Sequence, residues 1–201
     1  MSELDIGILA LQGDVAENFM STMMAMNELG IDGSVSQVKT PDQISAVDGL
    51  IIPGGESTMM GQLSLTNGAM NSLKEKIESG MPVLGICAGM ILLSSTISDG
   101  RSDQIPLGAI DIDVRRNGYG RQIDSFETEL EIDGLDGPFH GVFIRAPVVE
   151  RVGEAVDVLA AVDRQPVLCR QGSVLVAAFH PELVDDDRIH RVFMDKAFAC
   201  A

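Results

Sequence analysis

Residues 83–90 read VLGICAGM and join a short apolar run to a helical pattern. Val83–Ile86 predicts a buried strand, and Ala88–Ser95 predicts the helix that follows it. Cys87 lies at the junction in a Gly-x-Cys-x-Gly pattern, which is the cysteine counterpart of the nucleophile elbow of hydrolases. Glycines on both sides allow a sharp turn, and the N-terminus of the following helix favours the thiolate. The pattern therefore predicts a nucleophilic Cys87, although a buried structural cysteine would also fit it.

Strand-length apolar runs alternate with helical patterns on the N-terminal side of this junction, which is typical of βαβ units. Strands are predicted at Ile6–Leu11, Ile31–Val38 and Leu50–Ile52, and helices at Val15–Leu29 and Asn67–Ser79. This alternation predicts a mostly parallel sheet, in which Leu50–Ile52 is a short buried strand.

Beyond Gly100 the predicted strands are short and separated by turn residues, so part of this half is expected to be antiparallel. They are Ile110–Arg115, Glu127–Ile132, Val142–Ile144, Val156–Val162 and Val174–Phe179, and a last helix is predicted at Asp186–Ala199. The predicted fold class is α/β with three layers, in which a mostly parallel central sheet has helices on both faces and an antiparallel extension in the C-terminal half. With 201 residues, a single domain over 1–201 is predicted.

Composition excludes several classes of function. The net charge of −16 would repel a polyanion, so nucleic acid is not an expected partner. No apolar run is long enough to span a bilayer and no basic segment precedes an apolar one, so neither membrane insertion nor secretion is expected. The three cysteines are far apart, which favours a reduced cytoplasm over a disulfide framework. The acidic balance fits either a high-salt cytoplasm or an ordinary acidic protein.

His180 is the candidate base for Cys87. It follows the apolar run Val174–Phe179, which places it at the C-terminal edge of a strand, where Cys87 should also emerge. Sites in open α/β sheets form along this edge. Glu182, two residues further on, can hold the imidazole by a hydrogen bond, so the sequence predicts a triad of Cys87, His180 and Glu182.

Residues 53–58, PGGEST, follow a predicted strand and open a helix. Backbone amides in such a glycine turn can bind an anion or a developing oxyanion. The amides of Gly54, Gly55 and Ala88 are therefore candidates for an oxyanion hole, and a tight turn with a capping hydroxyl is the alternative. The Gly-Lys-Ser/Thr ending of a P-loop is absent.

The other histidines and cysteines carry weaker signals. His140, in a predicted turn, and His190, in the last helix, are expected to be surface or packing residues. Cys169 and Cys200 have no basic or dipolar activator in sequence and are expected to be inert. A histidine with a single glutamate supplies too few ligands for a metal, so neither a metal nor a cofactor is expected.

Seven segments together resemble the glutaminase subunit of pyridoxal 5′-phosphate synthase, over nearly the whole chain. They are LALQGDV (9–15), IPGGEST (52–58), CAGM (87–90), RNGYGRQ (116–122), SFE (125–127), FIRAP (143–147) and FHPEL (179–183). Cys-Ala-Gly and His-Pro-Glu indicate only the class I glutamine amidotransferases, whereas the PGGEST, RNxxGRQ and IRAP segments resemble this subunit specifically. The resemblance implies a class I glutamine amidotransferase-like, flavodoxin-like fold.

The resemblance implies that the triad hydrolyses L-glutamine. The ammonia would pass to a (β/α)8-barrel synthase subunit in a large hetero-oligomer, which joins it to a pentose phosphate and a triose phosphate to make pyridoxal 5′-phosphate. The implied substrate contacts are Gly55, Glu56, Ser57, Arg116, Ile144, Arg145 and Gln12. A guanidinium such as that of Arg116 suits the α-carboxylate of an amino acid.

Two positions depart from the family pattern. Asn18 stands where a histidine is usual and is expected to alter docking to the synthase, and Ile86 stands where threonine is frequent. Three alternatives stay open: the glutaminase of another synthase, such as imidazole glycerol phosphate synthase, a cysteine hydrolase on a similar sheet, or a catalytically silent regulator. The intact triad argues against the last of these.

Overall fold

The structure is a computed structural model that describes residues 3–101, 103–116 and 125–200. These residues form twelve strands: β1 (Leu4–Leu9), β2 (Gly33–Val38), β3 (Gly49–Ile52), β4 (Val83–Ile86), β5 (Ser94–Ile97), β6 (Ile110–Arg115), β7 (Ser125–Leu130), β8 (Phe139–Ile144), β9 (Val148–Val152), β10 (Asp157–Val162), β11 (Gln165–Gln171) and β12 (Val174–Ala177). They also form six α-helices: α1 (Val15–Leu29), α2 (Pro41–Ser45), α3 (Ser57–Thr66), α4 (Ala69–Glu78), α5 (Ala88–Leu93) and α6 (Arg188–Cys200). A 3-10 turn covers Pro181–Leu183.

A seven-stranded sheet with the order β10-β11-β12-β4-β3-β1-β2 lies at the centre of the fold. The strands from β12 to β2 are parallel, and β11 and β10 are added antiparallel beside β12. β3, β4 and β12 are buried along their whole length, as expected for parallel strands with both faces covered. The predicted fold class, with its antiparallel extension, is confirmed.

The chain reverses its direction across the sheet between β1 and β3. It first moves outward from β1 to β2 through α1, and later moves the opposite way from β3 to β4 through α3 and α4. Because parallel crossovers are right-handed, steps in opposite directions place their helices on opposite faces. Accordingly α1 packs with α6, whereas α4 packs with α2 and α3. The gap between the carboxyl ends of β1 and β3 is the switch point at which open α/β sheets bind ligands.

Two smaller sheets, β5-β6-β9 and β7-β8, are formed by the second half of the chain. Phe126 of β7 stacks on Phe143 of β8 with ring centroids 4.4 Å apart. Phe143 in turn lies 5.6 Å from the ring of Phe179, which follows β12. This aromatic cluster therefore fixes the β7-β8 hairpin beside the end of the central sheet. Within the described residues, no helix is both long and apolar enough to cross a membrane.

Some sequence predictions differ from the structure. The helix predicted over Ala88–Ser95 ends at Leu93, because Ser94 adopts an extended conformation and begins β5. Its hydroxyl donates to the Ile91 carbonyl oxygen at 2.8 Å and so ends the helix. The strands β9 and β11 were not predicted, because charged residues and Pro166 interrupt their apolar pattern. The other predicted elements are present, with ends displaced by at most three residues.

Gly89 allows α5 to approach β3 closely. A Cβ at this position would lie 2.3 Å from the Ile52 carbonyl oxygen, which is a backbone atom that cannot move alone. Gly61, in α3, offers a matched comparison, because a Cβ there would meet only Leu92 Cδ1, at 3.9 Å. The contact at Gly89 therefore sets the distance between the helix that follows Cys87 and the sheet.

We expect Gly89→Ala to lower the free energy of unfolding by about 1–3 kcal/mol, because the new methyl group forces the backbone apart. Gly61→Ala should raise it by up to about 1 kcal/mol, because alanine is the better helix former and the site has room. Urea unfolding of the two variants measures the difference. An unchanged stability of Gly89→Ala would contradict the close contact.

Candidate active site

Cys87 joins β4 to α5 in a conformation that is rare for residues other than glycine, with φ of 49° and ψ of −96°. Its N–H donates to the Ala177 carbonyl oxygen at 2.8 Å, which ties the turn to the end of β12. Sγ lies 3.9 Å from the carbonyl oxygen of Ile144. Such backbone strain is concentrated at functional sites. The geometry is that of an elbow, and the nucleophilic role stays a prediction.

His180 follows β12 and lies beside Cys87. Its N–H donates to the Val142 carbonyl oxygen at 2.8 Å, so β8 helps to fix its backbone. Its Nδ1 lies 2.9 Å from Oε1 of Glu182, whose side chain is fully buried. Cys87 acts on the same imidazole, because its side chain is one of the two groups that raise the pKa of His180. The three residues of the predicted triad are therefore brought together.

The charge state of His180 follows from these neighbours. Burial lowers the pKa of the imidazole, but the hydrogen bonds with Cys87 and Glu182 and their charges outweigh it and raise the pKa to about 10. The ring is therefore protonated at neutral pH. A protonated imidazole beside a sulfur nucleophile can donate a proton to a leaving amine.

Asp14 brings a third ionisable group to this cluster. Its Oδ2 lies 3.6 Å from His180 Nδ1, and the ligand-type atoms of Asp14, His180 and Glu182 all lie within 4.8 Å of one another. The sequence indicated only two such groups here, His180 and Glu182. Because Nδ1 already forms a hydrogen bond with Glu182, we interpret the cluster as two carboxylates around an imidazolium.

A cleft of about 310 Å³ opens at the switch point of the sheet. Its lining includes Cys87, His180 and all the residues predicted to contact the substrate: Gln12, Gly55, Glu56, Ser57, Arg116, Ile144 and Arg145. Glu182 lies behind His180, and Gly54 and Ala88 are not part of the lining. Asp14, Ile91 and Leu183 line the cleft and were not singled out from the sequence. Asp14 and Leu183 could have been found within the LALQGDV and FHPEL segments, whereas no pattern points to Ile91.

Glu56 and Arg116 form a charged pair in the wall of the cleft. The Glu56 carboxylate caps α3 by accepting hydrogen bonds from two backbone amides of its first turn, at 3.0 and 2.8 Å. Burial acts to raise its pKa, but these amides and the Arg116 guanidinium outweigh burial and lower it. Arg116 Nη2 lies 3.3 Å from Glu56 Oε1, and Nη1 donates to Gln104 Oε1 at 2.9 Å. Gln104 also donates to Ser57 Oγ at 2.9 Å, a link that the sequence did not indicate.

Gln12 connects the loops that follow β1 and β3. Its Oε1 accepts a hydrogen bond from the Glu56 N–H at 2.7 Å. Gly55, with φ of 149°, passes so close that a Cβ there would lie 2.6 Å from this oxygen. A glycine is therefore required at this point of the turn. The oxyanion role of the Gly54, Gly55 and Ala88 amides stays a prediction.

The remaining histidines differ in their surroundings. His140 lies in β8 and not in a turn, between Glu129 and Glu127, whose carboxylates lie 2.8 and 2.9 Å from its ring nitrogens. These hydrogen bonds raise the pKa of His140, which is on the surface. His190, by contrast, is fully buried in α6, and burial lowers its pKa to about 4. It is a packing residue.

Asn18 is also fully buried, with Oδ1 3.4 Å from His190 Nε2. Its expected effect on docking to a synthase stays a prediction, and the buried side chain faces α6. Cys169 is buried, and burial raises the pKa of its thiol to about 12, which agrees with an inert role. Residues 117–122 of the RNxxGRQ segment and the side chain of Cys200 lie outside the described part of the chain.

Residues 8–199, which include every residue of the cleft, match the model of the SNO glutamine amidotransferase family. The chain belongs to this family. The resemblance recognised in the sequence is therefore confirmed.

Named members of the family are similar to this chain over nearly its full length. The pyridoxal 5′-phosphate synthase subunit PdxT of Mycobacteroides abscessus is 51% identical, over 94% of this chain and 95% of its own length. The protein of the same name from Nitrosopumilus maritimus is 48% identical, over 94% and 95%. A crystal structure of a glutamine amidotransferase, 44% identical, superimposes with a TM-score of 0.86 over 96% of this chain and 98% of that chain. A structure of PurLQS from Thermotoga maritima, at 14% identity and a TM-score of 0.60 over 100% of this chain and 97% of that chain, shares the fold alone.

Proposed function

We propose that this chain hydrolyses L-glutamine to L-glutamate and ammonia, and that it supplies the ammonia to a synthase that makes pyridoxal 5′-phosphate. The observation that carries the proposal is the meeting of Cys87, His180 and Glu182 at one cleft. The relatives that are named as subunits of pyridoxal 5′-phosphate synthase support the choice of product.

The reaction proceeds in two steps. The sulfur of Cys87 attacks the side-chain amide carbon of glutamine, and His180 donates its proton to the amide nitrogen as the C–N bond breaks. Ammonia leaves, and a γ-glutamyl thioester remains on Cys87. The neutral His180 then takes a proton from water, which attacks the thioester carbon, and the C–S bond breaks to release glutamate. Glu182 keeps the imidazole oriented through its bond to Nδ1.

Both steps form an oxyanion, which backbone amides can stabilise by about 3–4 kcal/mol for each well-placed donor. Ala88 is the first residue of α5, and the first N–H groups of a helix have no partner within it. We assign the oxyanion hole to this amide and to those of the Gly54-Gly55 turn. The Glu56 amide is excluded in this conformation, because it donates to Gln12.

The Glu56–Arg116 pair suits the charged end of an amino acid. Free glutamine carries an α-carboxylate and an α-ammonium on one carbon. Arg116 offers guanidinium N–H groups to the carboxylate, and Glu56 offers a carboxylate to the ammonium at 3.3 Å from that guanidinium. Gly55, Ser57 and the Ile144-Arg145 pair complete the substrate contacts, with Gln12 at the entrance loop.

The protein partner is a (β/α)8-barrel synthase subunit, in a large hetero-oligomer in the cytoplasm. Ammonia is reactive and volatile, so direct transfer between subunits avoids its loss to solvent. We propose that the whole chain acts as one glutaminase domain over residues 1–201 in this assembly, without a metal or cofactor of its own.

A diazo-ketone analogue of glutamine is expected to alkylate Cys87 once per chain in the presence of the synthase, and to stop glutamate release. Among the cysteines whose side chains the structure describes, only Cys87 lies in the cleft beside a protonated imidazole. The Cys169 thiol, with its pKa raised to about 12 by burial, stays protonated. Peptide mapping locates the adduct. Cys87→Ala should lose both the label and the activity, and Cys169→Ala should keep both. An adduct on Cys169 or Cys200 would overturn the assignment.

We expect Arg116→Gln to raise the KM for glutamine by roughly 10- to 100-fold with a smaller change in kcat, because a charge-assisted bond contributes about 1.5–3 kcal/mol. Arg115→Gln is the matched control, since Arg115 is exposed and pairs with Glu150 at 3.3 Å outside the cleft. Steady-state kinetics with the synthase present separates the two. An unchanged KM in Arg116→Gln, with a raised one in Arg145→Gln, would move the carboxylate site to Arg145.

A further inference from the structure

Asp14 occupies the position that normally caps a helix, yet its side chain does not cap α1. An aspartate at this position usually accepts a hydrogen bond from an amide in the first turn. Here no such bond is formed, although the residue immediately precedes the helix. The carboxylate points instead toward His180, with Oδ2 3.6 Å from Nδ1. The Asp14 side chain therefore contacts the imidazole and does not cap α1.

The loop around Asp14 is shaped for this contact. The N–H of Asp14 donates to the Gly54 carbonyl oxygen at 3.2 Å. A Cβ on Gly54 would lie 2.5 Å from Cε1 of His180 and 2.8 Å from Oδ2 of Asp14. Gly54 therefore leaves the space in which the carboxylate and the imidazole meet.

Asn18 holds Asp14 from the other side. Its side-chain Nδ2 donates to the Asp14 carbonyl oxygen at 2.9 Å, in addition to the helical bond from its N–H at 3.3 Å. His190 sets the orientation of this amide, because its Nε2 lies 3.4 Å from Asn18 Oδ1. His190 Nδ1 has no hydrogen-bond partner among the described residues, so we assign the ring proton to Nε2. His190 and Asn18 thus form a buried chain of hydrogen bonds from α6 that fixes the backbone of Asp14.

We propose that Asp14 is a positioning residue of the site, a second carboxylate that stabilises the imidazolium of His180 by charge. Glu182 makes the hydrogen bond to Nδ1 and is fully buried, whereas the Asp14 side chain is 40% exposed and lies just beyond hydrogen-bond distance. The two carboxylates therefore differ in role. Glu182 orients the ring, and Asp14 adds negative charge on the open side of the cleft.

The ring has few other charged neighbours. Cys87 faces it from the end of β4, Glu182 from the 3-10 turn and Asp14 from the start of α1. Glu56, Arg116 and Arg145 line the same cleft, and none of them forms an ion pair with His180 in the described structure. Removing the charge of Asp14 should therefore change the electrostatics of the imidazole without changing its hydrogen bonds.

The inference rests on the proposed function for its catalytic meaning, but its test does not require activity. The chain has three histidines, so the ring signals of ¹³C/¹⁵N-labelled histidine can be assigned with His180→Asn and followed against pH by NMR. The parent for the titration is Cys87→Ser, because its hydroxyl stays neutral and leaves the carboxylates to determine the pKa of His180. Glu17→Gln is the matched control, since Glu17 is an exposed acidic residue in the first turn of the same helix.

Asp14→Asn in this background is expected to lower the pKa of His180 by about 0.5–1. This is the size of a unit charge removed at 3.6 Å when water screens it, as it does for the Asp14 side chain, which is 40% exposed. Glu17→Gln should leave it within about 0.2 of the parent, because Glu17 points to solvent. Asp14→Ser, which can cap α1, should lower it as Asp14→Asn does, and so separates charge from helix stability. The same pKa in Asp14→Asn and in the parent would overturn the proposal.

Kinetics of the enzyme with native Cys87 distinguishes a failure of the proposed role of Asp14 from a failure of the proposed function. Asp14→Asn should lower kcat several-fold and leave the KM for glutamine near that of the wild type. Normal glutamine hydrolysis by the wild type with no change of the His180 pKa in Asp14→Asn would reject the role of Asp14 alone. A lowered pKa in a wild-type protein that does not hydrolyse glutamine would reject the proposed function and leave the electrostatic role in place.

Discussion

The turn at Cys87 is the constraint on which the rest of the site depends. A cysteine with φ of 49° is held there by the bond from its N–H to Ala177 and by the close approach of Gly89 to β3. Both contacts are made by the backbone, so the position of the sulfur is fixed by the sheet itself. Because β4 and β12 are neighbours in that sheet, the same geometry places His180 next to the sulfur. A rigid pair of strand ends thus replaces any need to bring the two residues together by loop closure.

The charges around Cys87 and His180 determine which proton transfer the two residues can carry out. Cys87 and Glu182 outweigh burial and keep the His180 imidazole protonated at neutral pH. Asp14 Oδ2 lies 3.6 Å from Nδ1 of the same ring. The retained proton is the one that a leaving ammonia requires. At the other side of the cleft, Arg116 and Glu56 carry opposite charges, which we propose bind the zwitterionic end of glutamine. Gln12 follows β1 and Glu56 follows β3, and the hydrogen bond from the Glu56 amide to Gln12 Oε1 links the two loops.

The sequence was sufficient to predict the fold class and the meeting of Cys87, His180 and Glu182, since these residues lie in local patterns: a glycine-flanked cysteine and a strand followed by His-Pro-Glu. Gln12, Arg116, Ile144 and Arg145 of the cleft were indicated only by the family resemblance. The sequence was insufficient where the outcome depends on contacts between distant segments. The contact between the buried Asn18 and His190 was not predicted, because the packing of α1 on α6 has no local signature. The Asp14 contact was missed for the same reason, since an aspartate before a helix predicts a cap. β9 and β11 were missed because their charged residues pair across strands and hide the apolar alternation.

Ammonia supply is tested most directly with Cys87→Ala and the synthase subunit. The variant lacks the nucleophile but loses only one small side chain, so it should still fold and bind its partner. With the two sugar phosphates, it should form no pyridoxal 5′-phosphate from glutamine, yet form it from an ammonium salt at a pH where free ammonia is appreciable, while the wild-type pair uses both. The contradicting result is that ammonium fails to restore synthesis with the variant while the synthase alone uses ammonium well. Cys87 would then have a role beyond releasing ammonia, and the proposal that this chain only supplies ammonia to the synthase would be wrong.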